Sequence, residues 1–511
     1  MAASGGEIST DVLIVGAGPS GLMLAVCLAK LGVDALIIDG KLGPTRESRA
    51  LAVQARSMEL YDQLGLVDRV LAERSPATVV VPGTPDRVFG RLELRAISTG
   101  LTPYGEVTVF EQSANERLLA DTLDRAGRPA RWGWELTELE VVDAGAVTAT
   151  VTTPSGPATI HARYCVGADG AHSRVRQHLG IAFEGITNVH TFYLVDATGV
   201  TGLTDGAVNM RVTADHYLLS FPMGTSASGR SRMRLLGVVH DRDRDPNGEL
   251  PEPRVRAFLA REFGVGYDDA DWFTTYRLHH RLAARFRVGP CFLVGDAAHI
   301  HSPVGAQGMN TGLQEAHNLA CALADVLLGG MPDSRLDRYE AERRPVGKIL
   351  VSTTDRAFAL VTSRSPLARF IRGRIVPLIG PIAVRVLPRL FGGKRVFGYL
   401  SQIRIRYRLP DASGDRRSRV LGRRLPWTGD NYAPLRAFEW QLHGYGVPAT
   451  AVTRIAGELG VAGHAFPRDA QGRLLRDRVY LIRRDGFVVA EIRSPGQGAD
   501  LDGARAMLRG A

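Results

Sequence analysis

The first forty residues alternate between short apolar runs and glycine-rich or polar turns. Residues Asp11–Val15 (DVLIV) are apolar and β-branched and lead into a glycine-rich turn, which is typical of a buried parallel strand. The apolar positions of Leu22–Leu31 follow helical spacing, and Ala35–Asp39 (ALIID) predicts a second strand. Strand, turn, helix and strand within about thirty residues predict a βαβ unit.

The chain beyond this unit divides into segments with different patterns. Tyr164–Ala168 and Cys291–Val294 are short apolar runs that predict two more strands, each associated with a Gly-Asp or Asp-Gly turn. Alternating runs such as His216–Phe221, found within the segments 77–109 and 185–275, predict a separate sheet that is rich in antiparallel strands.

The last two hundred residues are predicted to be helical at first and mixed afterwards. Residues 310–400 are mainly helical, with breaks predicted at Pro345, Pro366, Pro377, Pro381 and Pro388. The polar segment 411–418 (DASGDRRS) predicts a linker. Strands and helices resume after it in a small α/β pattern.

A GxGxxG motif at residues 16–21 (GAGPSG) lies directly between the first predicted strand and helix. Gly16 permits the tight turn, Gly18 lets a pyrophosphate approach the backbone, and Gly21 packs the helix against the strand. Asp39 ends the second strand, where its carboxylate can accept from a ribose hydroxyl, although it would also suit an ordinary turn. With the helix N-terminus as an anion site, the combination predicts dinucleotide binding.

A second motif at residues 167–176 (GADGAHSRVR) also follows a predicted strand. The strand ends at Asp169 and Gly170, and a basic helix start follows. Taken alone, this pattern could be an ordinary turn with a helix cap.

A third motif at residues 295–312 (GDAAHIHSPVGAQGMNTG) is the most informative. Asp296 ends a strand, where it can accept from a sugar-alcohol hydroxyl. The helix predicted from about Asn310 has an N-terminus that suits the negative charge of a reduced flavin ring. His299 and His301 lack further ligands at metal-binding spacing, so no metal site is predicted.

The net charge of +10 is concentrated between Arg364 and Arg424, where fifteen Arg and one Lys stand against two Asp. Such basic helices can hold a membrane surface or an acidic partner. They can equally be solvated helices that attract an anionic nicotinamide cofactor. Both interpretations stay open, and no nucleic-acid motif accompanies the charge.

The sequence predicts a cytoplasmic protein. No apolar run approaches the roughly twenty residues of a membrane span, and the N-terminal segment has neither the basic region nor the cleavage site of a signal peptide. The cysteines form no CxxC or metal-type pair and are expected to be small buried apolar residues. They are Cys27, Cys165, Cys291 and Cys321.

Together the three motifs resemble the fingerprints of the class A flavin monooxygenases, the para-hydroxybenzoate hydroxylase-like family, in order and separation. Residues 47–51 (ESRAL), 55–59 (ARSME) and 62–65 (DQLG) are similar to the aromatic polyketide hydroxylases of actinobacterial antibiotic pathways. Residues 422–426 (GRRLP) and 483–488 (RRDGFV) resemble the thioredoxin-like C-terminal domain of those enzymes. The resemblance covers nearly the whole chain and is more specific for the family than for the substrate.

The resemblance implies an α/β fold in which a Rossmann-like FAD-binding domain is interleaved with an antiparallel-sheet substrate domain. The implied FAD-binding domain is discontinuous and comprises residues 1–76, 104–184 and 276–350. The substrate-binding sheet domain comprises residues 77–103 and 185–275. A helical connection, 351–410, then leads to a thioredoxin-like domain, 419–511.

The same resemblance implies the residues of the site. The implied cofactor-binding residues are Gly16, Gly18, Pro19, Ser20, Gly21, Asp39, Gly40, Arg49, Gln112, Asp169, Gly170, Asp296, Gly308, Met309 and Asn310. The family usually has Glu at the position of Asp39. Arg49 and Pro303 are the implied catalytic residues and act by placement and electrostatics, although Arg49 could instead merely pair with Glu47.

The activity implied is that of an FAD-dependent monooxygenase that consumes NADPH or NADH and dioxygen. It would hydroxylate an aromatic or polyketide-type small molecule through a flavin hydroperoxide, in antibiotic or secondary-metabolite biosynthesis. A homodimer is compatible with this interpretation. The alternatives are Baeyer–Villiger oxygenation or antibiotic-inactivating hydroxylation on the same scaffold, and, from another class, a catalytically silent flavin-binding scaffold subunit.

Overall fold

A computed structural model gives the structure of most of the chain. It describes residues 6–46, 48, 50–143, 145–226, 229–239, 249–301, 306–363, 365–390, 393–409, 418–493 and 499–510. Arg49 and Pro303, the two implied catalytic residues, lie outside the described residues, as do Glu47 and residues 411–417 of the predicted linker.

The described strands and helices follow in chain order. The strands are β1 (Glu7–Val15), β2 (Ala35–Asp39), β3 (Ala52–Val53), β4 (Ser75–Ala77), β5 (Val79–Gly83), β6 (Leu92–Glu93), β7 (Val107–Val109), β8 (Arg131–Trp132), β9 (Glu135–Asp143), β10 (Ala146–Thr153), β11 (Gly156–Gly167), β12 (Phe183–Thr198), β13 (Val208–Val212), β14 (Tyr217–Thr225), β15 (Ser231–Val239), β16 (Asp269–Ala283), β17 (Arg287–Val288), β18 (Cys291–Leu293), β19 (His299–Ile300), β20 (Gln441–Tyr445), β21 (Ala462–Phe466), β22 (Arg478–Ile482) and β23 (Val488–Arg493). The helices are α1 (Pro19–Leu31), α2 (Ala55–Leu64), α3 (Val67–Glu73), α4 (Leu94–Ser98), α5 (Gln112–Arg125), α6 (Arg174–His178), α7 (Glu252–Phe263), α8 (Gly308–Leu327), α9 (Asp337–Thr362), α10 (Pro366–Phe370), α11 (Val376–Leu390), α12 (Gly393–Leu400), α13 (Ala449–Leu459) and α14 (Ala499–Leu508).

Strand β1 lies near the centre of a sheet with the order β17-β18-β11-β1-β2-β8, and β9 and β10 extend the sheet beside β11. β1 runs parallel to both neighbours, so that Val12 pairs with Ala35 on one side and Tyr164 on the other. Val12, Leu13 and Ile14 are all fully buried, which means that both faces of the strand are covered, as in parallel sheets generally. The four strands predicted from the short apolar runs are confirmed as parts of β1, β2, β11 and β18.

A second sheet has the order β19-β16-β12-β15-β14-β13-β5-β6 and is antiparallel except for the pair β13 and β5. Its outer face packs Tyr193 and Leu235 against Phe258 of α7. Its inner face packs Phe221 and Leu236 against Ala77 and Val109 of a small three-stranded sheet with the order β3-β7-β4. The mainly antiparallel sheet predicted from the alternating segments is therefore confirmed, with one parallel pair that the alternation did not indicate.

Residues 310–400 are mainly helical, as predicted, but most of the predicted breaks are wrong. Of the five prolines at which a break was predicted, Pro366 alone begins a helix. Ser365 caps that helix by accepting a hydrogen bond from the N–H of Ala368 at 3.1 Å. Helix α9 continues through Pro345, and α11 contains the other three prolines. None of the described helices is long and apolar enough to cross a membrane.

Tertiary contacts explain why α9 continues through Pro345. Arg343 donates to the hydroxyl of Tyr407 at 3.0 Å, and Arg344 donates to the carbonyl of Ala283 at 3.2 Å. These contacts hold the turn before the proline and offset the lost hydrogen bond. In the later helix, a π-helical turn at Ile371–Ile375 precedes Pro377, and such a wider turn relieves the clash that a proline ring makes with the preceding turn.

The C-terminal segment forms a four-stranded sheet with the order β21-β20-β22-β23, in which only β20 and β21 are parallel. A buried ion network fixes this sheet to α9. Arg483, 1% exposed at its side chain, donates to Glu342 at 2.6 Å and to Asp485 at 2.6 Å. Asn318 of α8 bridges the two carboxylates, at 3.0 and 3.1 Å. Although burial opposes its charge, Arg483 lowers the pKa of Asp485 to about 2.

We expect Arg483→Met to lower the free energy of unfolding by about 3–5 kcal/mol, because it leaves two buried carboxylates without their cation. Arg493→Met is the matched control, since Arg493 is exposed and pairs at the surface with Asp500; the expected cost there is below about 1 kcal/mol. Urea unfolding followed by tryptophan fluorescence measures both. Equal destabilisation by the two variants would contradict the structural importance of the network.

Candidate functional site

The turn after β1 has the close backbone packing expected of a phosphate-binding loop. Gly16 has φ +106°, and a Cβ at this position would overlap the carbonyl oxygen of Ala168. A Cβ at Gly21 would overlap the carbonyl oxygen of Gly16. By contrast, a Cβ at Gly18 would meet no atom within 4 Å, and α1 begins there without a side-chain cap among the described residues. Open space in front of uncapped N–H groups fits an anionic ligand.

Asp39 is held against this turn at the end of β2. One carboxylate oxygen accepts from the N–H of Ala17 at 2.7 Å and the other from the N–H of Lys41 at 2.8 Å. Each oxygen keeps a second lone pair, which can accept from a sugar hydroxyl. Gly40 makes only ordinary contact with Glu135 and shows no close approach that would require a glycine.

Asp169 of the second motif lies beside the first motif, since its backbone nitrogen is 2.7 Å from where a Cβ of Gly16 would stand. One carboxylate oxygen accepts from the N–H groups of Arg174 and Val175 at 2.7 and 3.2 Å, which satisfies the start of α6. The other carboxylate oxygen is buried and has no hydrogen-bond partner in the described part of the chain. Burial raises the pKa of Asp169 above its ordinary value. Gly170, with φ +78°, has open space beside it.

The third motif packs against the first. A Cβ at Gly295 would lie 2.5 Å from the hydroxyl of Ser20, and a Cβ at Gly312 would lie still closer to it. Helix α8 therefore packs against the start of α1 at the glycine-rich turn. Asp296 lies exposed in a 3-10 turn at Gly295–Ala297. The guanidinium of Arg176 donates to the carbonyl of Ala297 at 2.9 Å and ties the second motif to the same turn. All three motifs therefore meet at one place.

Glu315, on α8, was not predicted as a site residue. Its fully buried carboxylate accepts from the N–H of Gly295 at 2.9 Å and pairs with Nε2 of His299 at 2.9 Å. Burial opposes a charge on His299, but Glu315 raises the pKa of that ring above its ordinary value. The pair fixes the turn that carries Asp296. A lone carboxylate within an apolar helical stretch is the only signal in the sequence that could have indicated it.

The start of α8 is fixed by Asn310. Its side-chain oxygen accepts from the N–H of Gln54 at 2.8 Å, and its amide donates to the carbonyls of Ala52 and Ala306, each at 2.8 Å. Both N–H groups of the side-chain amide are thus used within the protein, which leaves the backbone N–H as the donor that Asn310 can offer to a cofactor. The helix begins without a side-chain cap among the described residues.

Met309 and Gly308, which were also predicted to bind the cofactor, contact different parts of the protein. The sulfur of Met309 lies 3.6 Å from the side-chain amide of Asn115. Gly308 is packed beside the ring of His301, 3.2 Å from where its Cβ would lie.

Gln112 begins α5 and pairs with Ala50. It accepts from the N–H of Ala50 at 3.3 Å, and its backbone N–H donates to the carbonyl of Ala50 at 2.9 Å. Its amide also donates to Glu116 at 2.9 Å. Glu116 is fully buried and accepts from the N–H of Thr45 at 2.8 Å. This second buried carboxylate was also missed by the sequence analysis.

The inner face of the second sheet is aromatic and apolar. Phe192 and Tyr276 stack with ring centroids 5.7 Å apart and an interplanar angle of 24°. Val238 and Tyr217 pack with them. The hydroxyl of Tyr217 is buried and has no hydrogen-bond partner among the described residues.

Comparison with known proteins identifies the family. The FAD binding domain family matches residues 9–354. The 6-methylpretetramide 4-monooxygenase of Streptomyces rimosus is 34% identical over 395 residues, which cover 75% of this chain and 68% of the relative. The rifampicin monooxygenase of Streptomyces venezuelae is 36% identical over 374 residues, which cover 72% of this chain and 75% of the relative.

A solved structure extends the similarity over the full chain. The anhydrotetracycline hydroxylase of Streptomyces rimosus has a TM-score of 0.76 at 26% identity and covers 99% of this chain and 100% of its own. The chain belongs to the FAD binding domain family and is an FAD-dependent monooxygenase. Its mixed α/β fold with several sheets is the fold of FAD-dependent hydroxylases.

The residues present fit FAD. The open space beside Gly18 can take a pyrophosphate, and the lone pairs of Asp39 can take a ribose hydroxyl. The buried, unsatisfied oxygen of Asp169 is a further acceptor for a ligand or a water molecule.

We expect Gly21→Ala to weaken FAD binding by about tenfold or more, because the added methyl would overlap the Gly16 carbonyl and push α1 away from the turn. Gly457→Ala in α13 is the matched control, since its methyl would meet no atom within 4 Å. The FAD-to-protein ratio and the FAD dissociation constant measure the effect. Unchanged FAD affinity in Gly21→Ala would contradict the assignment of the turn.

Proposed function

We propose that this monooxygenase uses NAD(P)H and dioxygen to hydroxylate a polycyclic aromatic compound of the polyketide type in antibiotic biosynthesis. The observation that carries the proposal is the meeting of the three motifs, where Gly16 lies against Ala168 and both Gly295 and Gly312 lie against Ser20. The names of the relatives support the substrate class, since one is a 6-methylpretetramide 4-monooxygenase and another an anhydrotetracycline hydroxylase.

Each motif is proposed to hold one part of the cofactor. Gly16, Gly18, Pro19, Ser20 and Gly21 would bind the pyrophosphate of FAD, and Asp39 with Gly40 would bind the adenosine ribose. Asp169 and Gly170 would support both FAD and the approach of NAD(P)H. Asp296 would bind the ribityl or phosphate part. Gln112 and Arg49 would lie along the flavin chain, and the backbone of Gly308, Met309 and Asn310 would lie beneath the ring.

FAD supplies the electron transfer and the oxygen activation. The protein's part is placement and electrostatics. The uncapped start of α8 would offer N–H groups and the positive end of its dipole to negative charge on a bound flavin ring. Glu315 and Asn310 keep that helix start and the Asp296 turn in place. Pro303 is proposed to complete the same loop.

The inner face of the second sheet is proposed to receive the substrate. Tyr276, which is half-buried and stacks on the fully buried ring of Phe192, offers an apolar ring to a fused-ring compound. The buried hydroxyl of Tyr217 offers a hydrogen bond to a phenol or a carbonyl on that compound. Oxygenation of a finished antibiotic is the second candidate, because the rifampicin monooxygenase is 36% identical to this chain.

The domain limits are also proposed. Residues 1–76, 104–184 and 276–350 would form the FAD-binding domain and residues 77–103 and 185–275 the substrate domain, although β16 continues to Ala283 and so favours a later limit. Residues 351–410 would connect them to a thioredoxin-like domain, 419–511. Its mixed four-stranded sheet flanked by α13 and α14 supports that proposal, and its lack of Cys excludes dithiol chemistry. We further propose a cytoplasmic location and a homodimer.

The proposal is tested with purified, FAD-loaded protein supplied with NADPH or NADH and ¹⁸O₂. Anhydrotetracycline, 6-methylpretetramide and rifampicin serve as candidate substrates, and mass spectrometry detects the gain of one labelled oxygen. We expect substrate-stimulated NAD(P)H oxidation and a labelled product with one of the first two. Labelled rifampicin alone would favour the second candidate, and no stimulation by any of the three would contradict the proposal.

Asp296→Ala is expected to lower FAD affinity about tenfold or more, because the variant loses a hydrogen bond that a ligand hydroxyl would donate to a charged acceptor. The exposed Asp124 of α5 provides the matched control Asp124→Ala, which should keep full FAD content. The absorbance of bound flavin after gel filtration measures both. A fully yellow Asp296→Ala protein would contradict the role assigned to this carboxylate.

A further inference from the structure

The basic segment that the sequence analysis left unexplained contains an exposed apolar surface. Helices α10 and α11 and the π-helical turn between them form one continuous helix from Pro366 to Leu390. Leu367, Leu378 and Ile382 are 68%, 70% and 64% exposed on it, and Phe370 is 56% exposed. Successive members of this set are three, eight and four residues apart. Such spacings place side chains on the same side of a helix, so these four form an apolar stripe.

The opposite side of this helix is anchored to the protein. The guanidinium of Arg372 is buried and donates to the carbonyl of Ala214 at 2.9 Å. A Cβ at Gly380 would come within 2.6 Å of the ring of Phe89, so the helix lies directly on the second sheet's side of the molecule. The apolar stripe is therefore the side that faces away from the core.

The charged residues of the helix itself are all basic, and one of them, Arg369, pairs with Asp215 at 2.9 Å. Arg374 and Arg385 are exposed on the same helix and form no ion pair with the described residues. The helix contains no acidic residue between Pro366 and Leu390. On the neighbouring helix α12, Lys394 and Arg395 are exposed as well. We refer to Leu367, Phe370, Arg374, Leu378, Ile382 and Arg385 as the basic apolar face.

We propose that the basic apolar face rests on an anionic lipid surface, with its apolar side chains inserted at the boundary of headgroups and acyl chains. Large apolar side chains beside Arg, on a helix without acidic residues, are the chemistry by which helices lie in a membrane interface. Arg beside such a stripe gains from negative lipid headgroups. The charge therefore matches a surface that is both apolar and negative.

A second copy of the chain fits this face less well. In a two-fold dimer the same patch meets itself. Arg374 and Arg385 of both copies would then approach each other, and the helix has no acidic residue to compensate them. Like charges brought together in this way oppose association. An anionic lipid surface does not bring these Arg side chains against other positive charges.

The proposal also bears on how the enzyme meets its substrate. Polycyclic aromatic compounds with little charge partition into apolar phases. The helix that carries the face lies over the loop at Ala214, which leads into β14 of the substrate-facing sheet. An enzyme resting on lipid by this helix would hold the same sheet close to a dissolved apolar substrate. The lipid contact itself does not depend on the proposed activity.

Flotation of the full-length, FAD-loaded protein with vesicles tests the proposal. One set contains phosphatidylcholine alone and the other equal amounts of phosphatidylglycerol and phosphatidylcholine. We expect at least about tenfold more bound protein with the anionic set, and a weaker association at high salt. Leu378→Ser/Ile382→Ser should lower binding to anionic vesicles about tenfold or more, and Arg374→Glu/Arg385→Glu should abolish the preference for them.

Matched controls lie on the FAD-binding side of the molecule. Val142→Ser changes an apolar side chain that is 58% exposed, and Arg125→Glu reverses an exposed charge on α5. Both should float like the wild type, and all variants should keep the wild-type flavin content and NAD(P)H oxidation. No flotation with either vesicle set, or equal losses in the control variants, would overturn the proposal. Light scattering that shows a dimer disrupted by Leu378→Ser/Ile382→Ser, without any flotation, would assign the face to a second copy instead and would equally overturn it.

Discussion

Backbone packed directly on backbone, where α1 leaves β1, is the constraint on which the rest of the structure depends. Side chains at Gly16 and Gly21 would overlap carbonyl oxygens, so the first helix can approach the ends of β1 and β11 only because both residues lack a Cβ. Gly295 and Gly312 let α8 reach the same point against Ser20. The uncapped starts of two helices therefore come close to each other at the carboxyl end of a parallel sheet, which is where ligands bind in folds of this type.

Buried polar groups then hold the parts that this packing brings together. Glu315 connects α8 to the turn of Asp296, Arg176 connects that turn to the second motif, and Asn310 connects the start of α8 to residues 52 and 54. Each of these groups is satisfied by a partner that is far away in the sequence. Because an unsatisfied buried polar group costs about 1–3 kcal/mol, such pairs specify one arrangement of the chain. The site is therefore preorganised by residues that are not expected to touch the cofactor.

The features that could be predicted from the sequence are those that depend on neighbouring residues, and those that could not depend on contacts between distant residues. The GxGxxG turn, Asp39 and the strands β1, β2, β11 and β18 could be predicted, because glycine spacing and short apolar runs report on local geometry. Glu315, Glu116 and Arg483 could not, since a buried charge has no local signature and its partner lies elsewhere in the chain. The expected breaks at Pro345, Pro377, Pro381 and Pro388 failed for the same reason. Contacts such as that of Arg344 with the carbonyl of Ala283 offset a local cost in a way that no local pattern shows.

The buried network around Arg483 has a consequence for the order in which the chain can be assembled. Helix α8 begins at the candidate cofactor site. Near its other end, Asp325 accepts hydrogen bonds from Trp440 at 2.9 Å and from Arg484 at 2.8 Å. Glu342 of α9 accepts a hydrogen bond from Arg483. A nascent chain folds from its N-terminal side as it leaves the ribosome, yet these acidic groups gain their C-terminal partners only after the last strands have been synthesised. The contacts that hold the far end of α8 and the middle of α9 therefore form only after residues 440–484 have been synthesised, later than the helices themselves.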